Sequence, residues 1–196
     1  MQDIRIQTAL ISVYHKEGLE EILPLLDEQD VDLISTGGTK KYIEEAGYSV
    51  TSVESLTGYP SILEGRVKTL HPGIFGGILA KRSEEHLDEL SEYDIPTIDL
   101  VIVDLYPFEE TLQQTDREDQ IIEQIDIGGI ALLRASAKNY KDVVIVPGRS
   151  EYKRLKSILQ SGAVVSPGER RRWAAKAFEL SAHYDQAIFQ YFNEEQ

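Results

Sequence analysis

Two cationic side chains, Arg66 and Lys68, stand two positions apart in an apolar, glycine-rich stretch over residues 65–79. If this stretch is extended, both side chains fall on one face, because residues two apart share a face of a strand. A guanidinium grips phosphate through paired hydrogen bonds, and an ammonium adds a compact point charge. The pair therefore indicates a site for one phosphorylated small molecule, although exposed basic residues on a solvated edge strand fit the pattern equally well.

Two further segments, residues 12–18 and 35–40, have the pattern of a strand end, a glycine-containing loop and the start of a helix. Glycines let backbone N–H groups approach an anion, hydroxyl groups donate further bonds, and a helix N-terminus adds a favourable dipole. Each segment taken alone is more typical of an ordinary loop and helix cap. Together they favour an anion cradle beside the two cations.

Two carboxylates follow apolar segments further along the chain. Asp104 ends a run of apolar residues, so it needs a hydrogen-bond donor from the protein or from a ligand amide. Asp126 can cap the helix that follows it, and the N–H groups beside Gly128 and Gly129 could equally stabilise an oxyanion. Tyr106 follows the strand of Asp104, and both core packing and hydrogen-bond donation are open to it.

Lys138 lies near the end of the helix predicted after Asp126. Twelve residues of continuous helix span about 18 Å. Lys138 and Asp126 therefore reach one ligand only if that helix is short or bent around it.

The elements that must position these residues alternate along the chain. Apolar, β-branched runs predict strands at residues 8–13, 31–35, 98–105 and 143–146. Periodic apolar residues predict helices at 19–27, 40–46, 84–92, 119–125, 130–138 and 152–160, and a long last helix after Pro167 and Gly168. This alternation predicts a parallel sheet covered on both faces, with ligands bound beyond the carboxyl ends of the strands.

The chain length and charge narrow the classes of function. A chain of 196 residues is the usual size of one domain with its own core and cleft. The formal charge of −14 repels polyanions, so we expect no nucleic-acid partner. No apolar run approaches the length of a membrane span, and the first residues carry no leader pattern, so we expect no membrane partner and a cytoplasmic location.

The cysteine and histidine content also limits which nucleophiles and metal sites the chain can form. The absence of cysteine excludes disulfides, thiolate nucleophiles and cysteine-ligated metals. The four histidines are scattered and never take the paired spacing of metal ligands, so we expect no metal site.

Seven ordered segments together resemble the inosine monophosphate cyclohydrolase domain, the amino-terminal half of the bifunctional purine-biosynthesis enzyme PurH. The segments are residues 12–18, 35–39, 65–72, 105–108, 126–129, 137–139 and 176–185. The resemblance covers nearly the whole chain. It implies a single domain over residues 1–196 with the methylglyoxal-synthase-like α/β fold, three α/β/α layers around a central, mostly parallel sheet.

The activity implied by the resemblance is closure of 5-formamidoimidazole-4-carboxamide ribotide to inosine monophosphate with loss of water, without cofactor or metal. A carboxamide nitrogen is a poor nucleophile and a formamide carbon a poor electrophile. An enzyme for this reaction must therefore hold the two groups together, move protons and stabilise an oxyanion.

The resemblance also implies roles for individual residues. It assigns catalysis to Lys138, as proton donor and acceptor, helped by Asp126, Lys68 and Tyr106. The substrate-binding residues that it implies are Ser12, Tyr14, His15, Lys16, Thr36, Gly37, Gly38, Thr39, Arg66, Thr69, Val103, Asp104, Ile127 and Gly128.

The chain departs from the family pattern in three ways. Tyr14 and His15 stand where the family has a serine and an aspartate, and Asp104 stands where asparagine is common. An acceptor-only carboxylate at that position predicts altered affinity. The formyltransferase half is missing, so the substrate must come from elsewhere or from a domain natively linked downstream. A homodimer is plausible from the family alone.

Two other functions fit parts of the pattern. A non-catalytic phosphate or nucleotide sensor of the methylglyoxal-synthase-like type predicts binding without turnover, but it does not require Tyr106, Asp126 and Lys138. A lyase acting on dihydroxyacetone phosphate is the third possibility, although the segments at 105–108 and 126–129 resemble the cyclohydrolase.

Overall fold

The computed structural model of this protein describes residues 2–193. Its central sheet has five parallel strands in the order β4–β3–β2–β5–β6. A separate antiparallel pair joins β1 and β7. In chain order the strands are β1 (Ile4–Arg5), β2 (Thr8–Val13), β3 (Asp32–Ser35), β4 (Thr51–Ser52), β5 (Leu100–Asp104), β6 (Val144–Pro147) and β7 (Val164–Val165).

The middle strands of the sheet are almost wholly apolar. Leu10 on β2, Val101 on β5 and Ile145 on β6 are fully buried and lie side by side in register. Parallel strands that are covered on both faces read as continuous hydrophobic runs in this way. The strands predicted from the sequence are confirmed, with boundaries that differ by at most two residues.

Helices flank the sheet and give a three-layer α/β/α arrangement, which confirms the predicted fold class. The helix α8 packs against β5, β6, α4 and α10, and α1 packs against α9. None of the helices within residues 2–193 combines the length and apolarity needed to cross a membrane. The helices are α1 (Leu19–Asp27), α2 (Gly37–Glu45), α3 (Val53–Thr57), α4 (Pro72–Leu79), α5 (Glu84–Glu92), α6 (Phe108–Gln114), α7 (Glu118–Glu123), α8 (Gly128–Lys138), α9 (Tyr152–Gln160) and α10 (Pro167–Asn193).

The stretch over residues 65–79 is not extended, so the strand considered for it is wrong. A 3-10 turn at Leu63–Gly65 continues into a further turn, and α4 begins at Pro72. His71 caps α4, because its Nδ1 accepts a hydrogen bond from the Gly73 amide at 3.0 Å. Proline favours the first position of a helix, since its fixed φ suits the helix and its missing N–H is not needed there.

The strand order places a topological switch point between β2 and β5. From β2 the chain builds outward through β3 and β4, and then returns to add β5 and β6 on the other side. In open parallel sheets the crevice at such a point, beyond the carboxyl ends of the strands, is where ligands bind. The loops after β2 and β5, which begin at Tyr14 and Leu105, meet at this crevice.

A fully buried arginine ties α10 to the edge of the fold. The Arg170 guanidinium donates hydrogen bonds to the carbonyl oxygens of Gln2, Tyr140, Lys141 and Val165, at 2.8, 2.9, 3.2 and 2.5 Å. These carbonyls belong to three segments that are distant in the sequence. Arg170 therefore acts as one shared donor for backbone groups that β-sheet and helix bonds leave open.

We expect Arg170→Met to lower the free energy of unfolding by about 3 kcal/mol, because it strips several buried carbonyl oxygens of their donor. Arg171→Met is the matched control, since Arg171 is the exposed neighbour on the same helix. Urea unfolding followed by circular dichroism measures both variants. Equal midpoints for the two variants would contradict a structural role for Arg170.

Candidate active site

The amino-terminal end of α2 forms the most cationic part of the crevice. The Lys68 ammonium lies 3.0 Å from the place that a Cβ atom on Gly37 would occupy, so it sits directly over the first residue of the helix. The N-terminus of a helix carries a partial positive charge. An ammonium beside it is unfavourable unless an anion lies between them, and this juxtaposition makes an anion site.

The turn that follows the 3-10 segment brings Lys68 to this place. Gly65 has a φ of 88°, and a Cβ atom there would overlap the Lys68 side chain. Glycine is required on both counts, because it adopts positive φ without strain and leaves room for the lysine. Lys68 is half-buried as a result.

Arg66 takes a different direction from Lys68. Its guanidinium forms an ion pair with Glu123, and 63% of its side chain is exposed. The expectation that both cations share one face is therefore wrong, because residues in a turn do not alternate as they do in a strand. A ligand phosphate that used Arg66 would have to compete with Glu123.

Thr69 connects the first helix terminus to a second one. It is 5% exposed, and its Oγ1 lies 3.1 Å from the place of a Cβ atom on Gly128, the first residue of α8. Lys68 and Thr69 therefore touch the N-termini of α2 and α8 respectively. The crevice is lined by two positive helix ends.

Asp126 stands at the start of α8 and caps it. Its Oδ1 accepts a hydrogen bond from the Gly129 amide at 2.6 Å, and its Oδ2 lies 3.4 Å from the Tyr106 amide. Burial raises the pKa of the Asp126 carboxyl above its usual range, and the two amide bonds only partly oppose this effect. The capping interpretation is confirmed, and the Gly129 amide is committed to Asp126.

Sequence analysis missed Tyr184, which supports Asp126 from behind. The Tyr184 hydroxyl accepts a hydrogen bond from the Asp126 amide at 3.0 Å and donates one to the Gln124 carbonyl at 2.8 Å. Burial raises the pKa of Tyr184 to about 12, so the hydroxyl keeps its proton. In the sequence Tyr184 belongs to the apolar stripe of the last helix and to the segment 176–185 that carries the family resemblance, and neither feature indicates this bond.

Two tyrosines form a wall of the crevice. The rings of Tyr14 and Tyr106 meet edge to face with centroids 5.3 Å apart, and each residue is a little over 40% exposed. Burial and the nearby Asp126 carboxylate raise the pKa of the Tyr106 phenol. The phenol is therefore protonated near neutral pH and can donate a hydrogen bond.

The loop after β2 is fixed by its own polar side chains. The Lys16 ammonium donates to the carbonyl oxygens of Val13 and Tyr14 at 2.5 and 2.7 Å, and burial lowers the pKa of Lys16. The Asp104 carboxylate contacts His15 at 2.7 Å, which identifies the partner that Asp104 needed. In this structure that partner is a protein side chain and not a ligand amide.

Two of the expected substrate ligands are occupied in the core. The Thr39 hydroxyl donates to the Val13 carbonyl at 2.9 Å and accepts from the Val13 amide at 3.2 Å, so it ties α2 to β2. The Val103 side chain is fully buried within β5. In the structure these two side chains are therefore engaged by the protein core, and the substrate contacts that the resemblance implies for Thr39 and Val103 stay a prediction.

The other expected residues fall into two groups. The crevice brings together Lys68, Thr69, Asp126, Tyr106 and Tyr14 with residues at the two helix ends. Those helix-end residues are Thr36, Gly37, Gly38, Ile127 and Gly128, and Ser12 lies near the end of β2.

Lys138 lies outside this group. The helix α8 runs without interruption from Gly128 to Lys138, which places the exposed lysine about 15 Å from the helix start that Asp126 caps. The eleven-residue helix has no break, so Asp126 and Lys138 lie at its opposite ends, and the shared role that the resemblance implies for them stays a prediction.

A groove of about 800 Å³ adjoins the crevice on the β6 side. Asp104 and Tyr106 border both spaces. Within residues 2–193 no cluster of three histidine or acidic side chains is arranged to hold a metal ion. The other residues that line the groove include His15, Glu17, Gly148, Arg149 and Tyr152.

Comparison with protein families gives two adjoining matches. Residues 18–131 match the MGS-like domain, and residues 136–196 match the AICARFT/IMPCHase bienzyme family. The first match spans more than half of the chain and includes Lys68, Tyr106 and Asp126.

Curated relatives are similar over nearly the whole chain. A bifunctional purine biosynthesis protein PurH from Bacteroides thetaiotaomicron is 58% identical over 191 residues, which cover 96% of this chain and 38% of the relative. The PurH of Clostridium kluyveri is 47% identical over 191 residues, covering 97% of this chain and 38% of the relative. The chain thus spans well under half the length of these proteins.

A solved structure supports the same architecture. The crystal structure of ForH superposes with a TM-score of 0.82 at 33% sequence identity, and the match covers 96% of this chain and all of the ForH chain. The likeness therefore extends across the sheet and the helices that carry the crevice.

Proposed function

The chain belongs to the MGS-like domain family, and on that basis we propose that it is an inosine monophosphate cyclohydrolase. Its substrate in this proposal is 5-formamidoimidazole-4-carboxamide ribotide, and its product is inosine monophosphate. The similarity to PurH proteins over nearly the whole chain supports the assignment. The observation that carries the proposal is that two consecutive residues reach two helix ends. The Lys68 ammonium lies over the N-terminus of α2, and the Thr69 hydroxyl lies at the N-terminus of α8.

The ribotide phosphate binds at the N-terminus of α2 in this proposal. The free N–H groups at the helix end and the Lys68 ammonium both favour a phosphate dianion. The Tyr14–Lys16 loop closes the same side, and Lys16 can turn from the carbonyls of Val13 and Tyr14 to the phosphate.

Ring closure forms one bond and then breaks another. The carboxamide nitrogen attacks the formyl carbon and loses a proton, and the formyl oxygen becomes a hydroxyl group. That hydroxyl then takes up a proton and leaves as water, while the former formamido nitrogen loses its proton and the electrons of that N–H bond complete the C=N bond. The protein has to fix the formyl group in the rotamer that faces the nitrogen and to supply a proton acceptor and a proton donor.

We assign the proton acceptor to Asp126 and the donor to Tyr106, whereas the Lys68 ammonium is engaged by the phosphate at the α2 terminus in this proposal. A carboxylate with a raised pKa is a stronger base than an exposed one, and burial raises that of Asp126. The Tyr106 phenol keeps its proton and can donate to the formyl oxygen. Lys138 is left out of this group, because α8 separates it from Asp126.

The substrate has to be made by another catalytic unit. The chain spans 38% of the length of the PurH relatives, whose printed name is bifunctional. We propose that the formamido group is added by a formyltransferase domain, linked downstream or acting as a separate protein. The unit described by residues 2–193 then performs only the dehydrative step.

Incubation of the purified protein with the formamido ribotide tests the function directly. Formation of the purine ring changes the ultraviolet absorbance, and we expect turnover without added cofactor. Binding of inosine monophosphate without turnover would favour the phosphate sensor. Release of inorganic phosphate from dihydroxyacetone phosphate would instead favour the lyase.

We expect the kcat for ring closure to fall on the acid side of neutrality, with an apparent pKa above that of an ordinary aspartate. Asp126 must be ionised to accept a proton, and burial raises its pKa, so protonation sets in at a higher pH than for an exposed carboxyl. Stopped-flow absorbance across the acid range measures this limb. An acid limb at the ordinary aspartate pKa would contradict the role of Asp126.

A further inference from the structure

One oxygen of Asp104 holds both the main chain and the ring of His15. Asp104 Oδ2 accepts a hydrogen bond from the His15 amide at 2.9 Å and lies 2.7 Å from His15 Nδ1. The two side chains are only 15% and 22% exposed, so the pair is well shielded from solvent. A carboxylate at this distance selects the tautomer with hydrogen on Nδ1, because it can only accept. We call this pair of bonds the His15–Asp104 latch.

The latch fastens the loop after β2 to the end of β5. Val13 and Asp104 are partners in the parallel ladder, and the Tyr14 amide donates to the Asp104 carbonyl at 3.1 Å. Backbone pairing stops there, and the latch extends the attachment by one residue. It does so at the switch point of the sheet, between the crevice and the adjoining groove.

The residues on either side of His15, Tyr14 and Lys16, are ones that the proposed function places beside the nucleotide. Tyr14 packs edge to face against the His15 ring at 4.9 Å between centroids, and also against Tyr106. The Lys16 ammonium is held by the carbonyls of Val13 and Tyr14, whose direction depends on the loop. A loop that moves would therefore misplace a wall residue and a cation together.

We propose that His15 and Asp104 are positioning residues, which act through each other to hold Tyr14 and Lys16 in place for the nucleotide. Their side chains bind one another and not the phosphate. The inference rests on the proposed function for the identity of the ligand, whereas the latch itself is a property of the free protein. The latch also gives the histidine at position 15 a role, because its Nδ1–H can donate to the Asp104 carboxylate.

The test compares two substitutions of His15. Together they distinguish the effect of the Nδ1–H hydrogen bond from the effect of the rest of the imidazole ring. His15→Ala removes the ring bond, whereas the side-chain amide of His15→Asn can donate from nearly the position of Nδ1. Tyr152→Phe is the control, because Tyr152 lines the same groove and its buried hydroxyl has no partner among residues 2–193. The measurements are steady-state kinetics with the formamido ribotide and hydrogen exchange of residues 14–18 in the free protein.

We expect His15→Ala to raise KM about tenfold while kcat changes by less than about threefold, because the loss is one of placement and not of chemistry. The amides of residues 14–18 should exchange faster in this variant. His15→Asn should recover most of both effects, and Tyr152→Phe should match the parent protein.

Two results would overturn the latch. Equal damage from His15→Asn and His15→Ala would mean that the ring or its Nε2 atom acts directly. A parent-like KM and parent-like exchange in His15→Ala would mean that the pair positions nothing. If the parent protein shows no ring closure, the proposed function fails by itself, and the exchange comparison still decides whether the latch exists.

Discussion

Replacing Asp126 with asparagine is expected to lower kcat for ring closure by about a thousandfold, which is within the range of general acid–base catalysis. Asparagine keeps an oxygen that can accept from the Gly129 amide, so the cap on α8 and the fold should survive. It cannot take a proton from the carboxamide nitrogen. The loss should therefore appear in kcat, with binding of inosine monophosphate largely retained.

Asp119→Asn is the matched control for this variant. Asp119 pairs with Arg117 at 2.6 Å on the surface and is 66% exposed, so the same chemical change occurs at a solvent-exposed ion pair. Absorbance kinetics and calorimetric titration with inosine monophosphate measure the two effects separately. Retention of more than about a tenth of the parent kcat by Asp126→Asn would remove Asp126 as the proton acceptor.

The position of Lys138 leads to a comparison within the same helix. Because about 15 Å of α8 separates it from the helix start, Lys138→Ala should lose far less kcat than Asp126→Asn. A loss as large as that of Asp126→Asn would restore the role that the family resemblance implies for Lys138. It would then require a second chain or a rearrangement to bring this lysine to the substrate.

Replacing Lys68 with methionine is expected to raise KM for the ribotide about a hundredfold, because a charge-assisted bond to phosphate is lost from a half-buried position. Methionine is of similar length and lacks the charge. It should occupy the space over Gly65 that glycine leaves open. Inorganic phosphate should also lose its ability to inhibit the variant competitively.

Lys41→Met provides the control on α2, the helix whose N-terminus Lys68 covers. Lys41 pairs with Glu45 at 3.7 Å on the outer face of α2, where its side chain is 76% exposed. Surface pairs of this kind contribute little to stability, so this variant should behave as the parent protein. An unchanged KM in Lys68→Met would show that the phosphate binds somewhere other than the α2 terminus.

Local patterns in the sequence were enough to predict four of the five strands of the central sheet and most of the helices, but not the edge strand β4. The helices α1, α5 and α9 have the predicted boundaries, since each has a clear apolar period of its own. The short helices α3, α4 and α6 were missed. All three lie in segments where glycine, proline or a nearby turn hides the period, and tertiary contacts decide the outcome.

The site was predicted only in part, because its decisive contacts join residues that are far apart in the chain. His15 meets Asp104 across 89 positions, and Tyr184 meets Asp126 across 58. Arg66 pairs with Glu123 across 57 positions and turns away from Lys68. No local periodicity contains these pairings, since they depend on how the helices and loops dock on the sheet.

The sequence by itself determined the alternation of strands and helices, the edge of the sheet where chemistry is placed, and the resemblance that names a substrate. Those properties follow from side-chain period and residue type over short windows. The tertiary structure alone decided that Lys68 lies over a helix terminus and that Asp104 binds His15. These outcomes depend on long-range packing and on where each charge finds its partner.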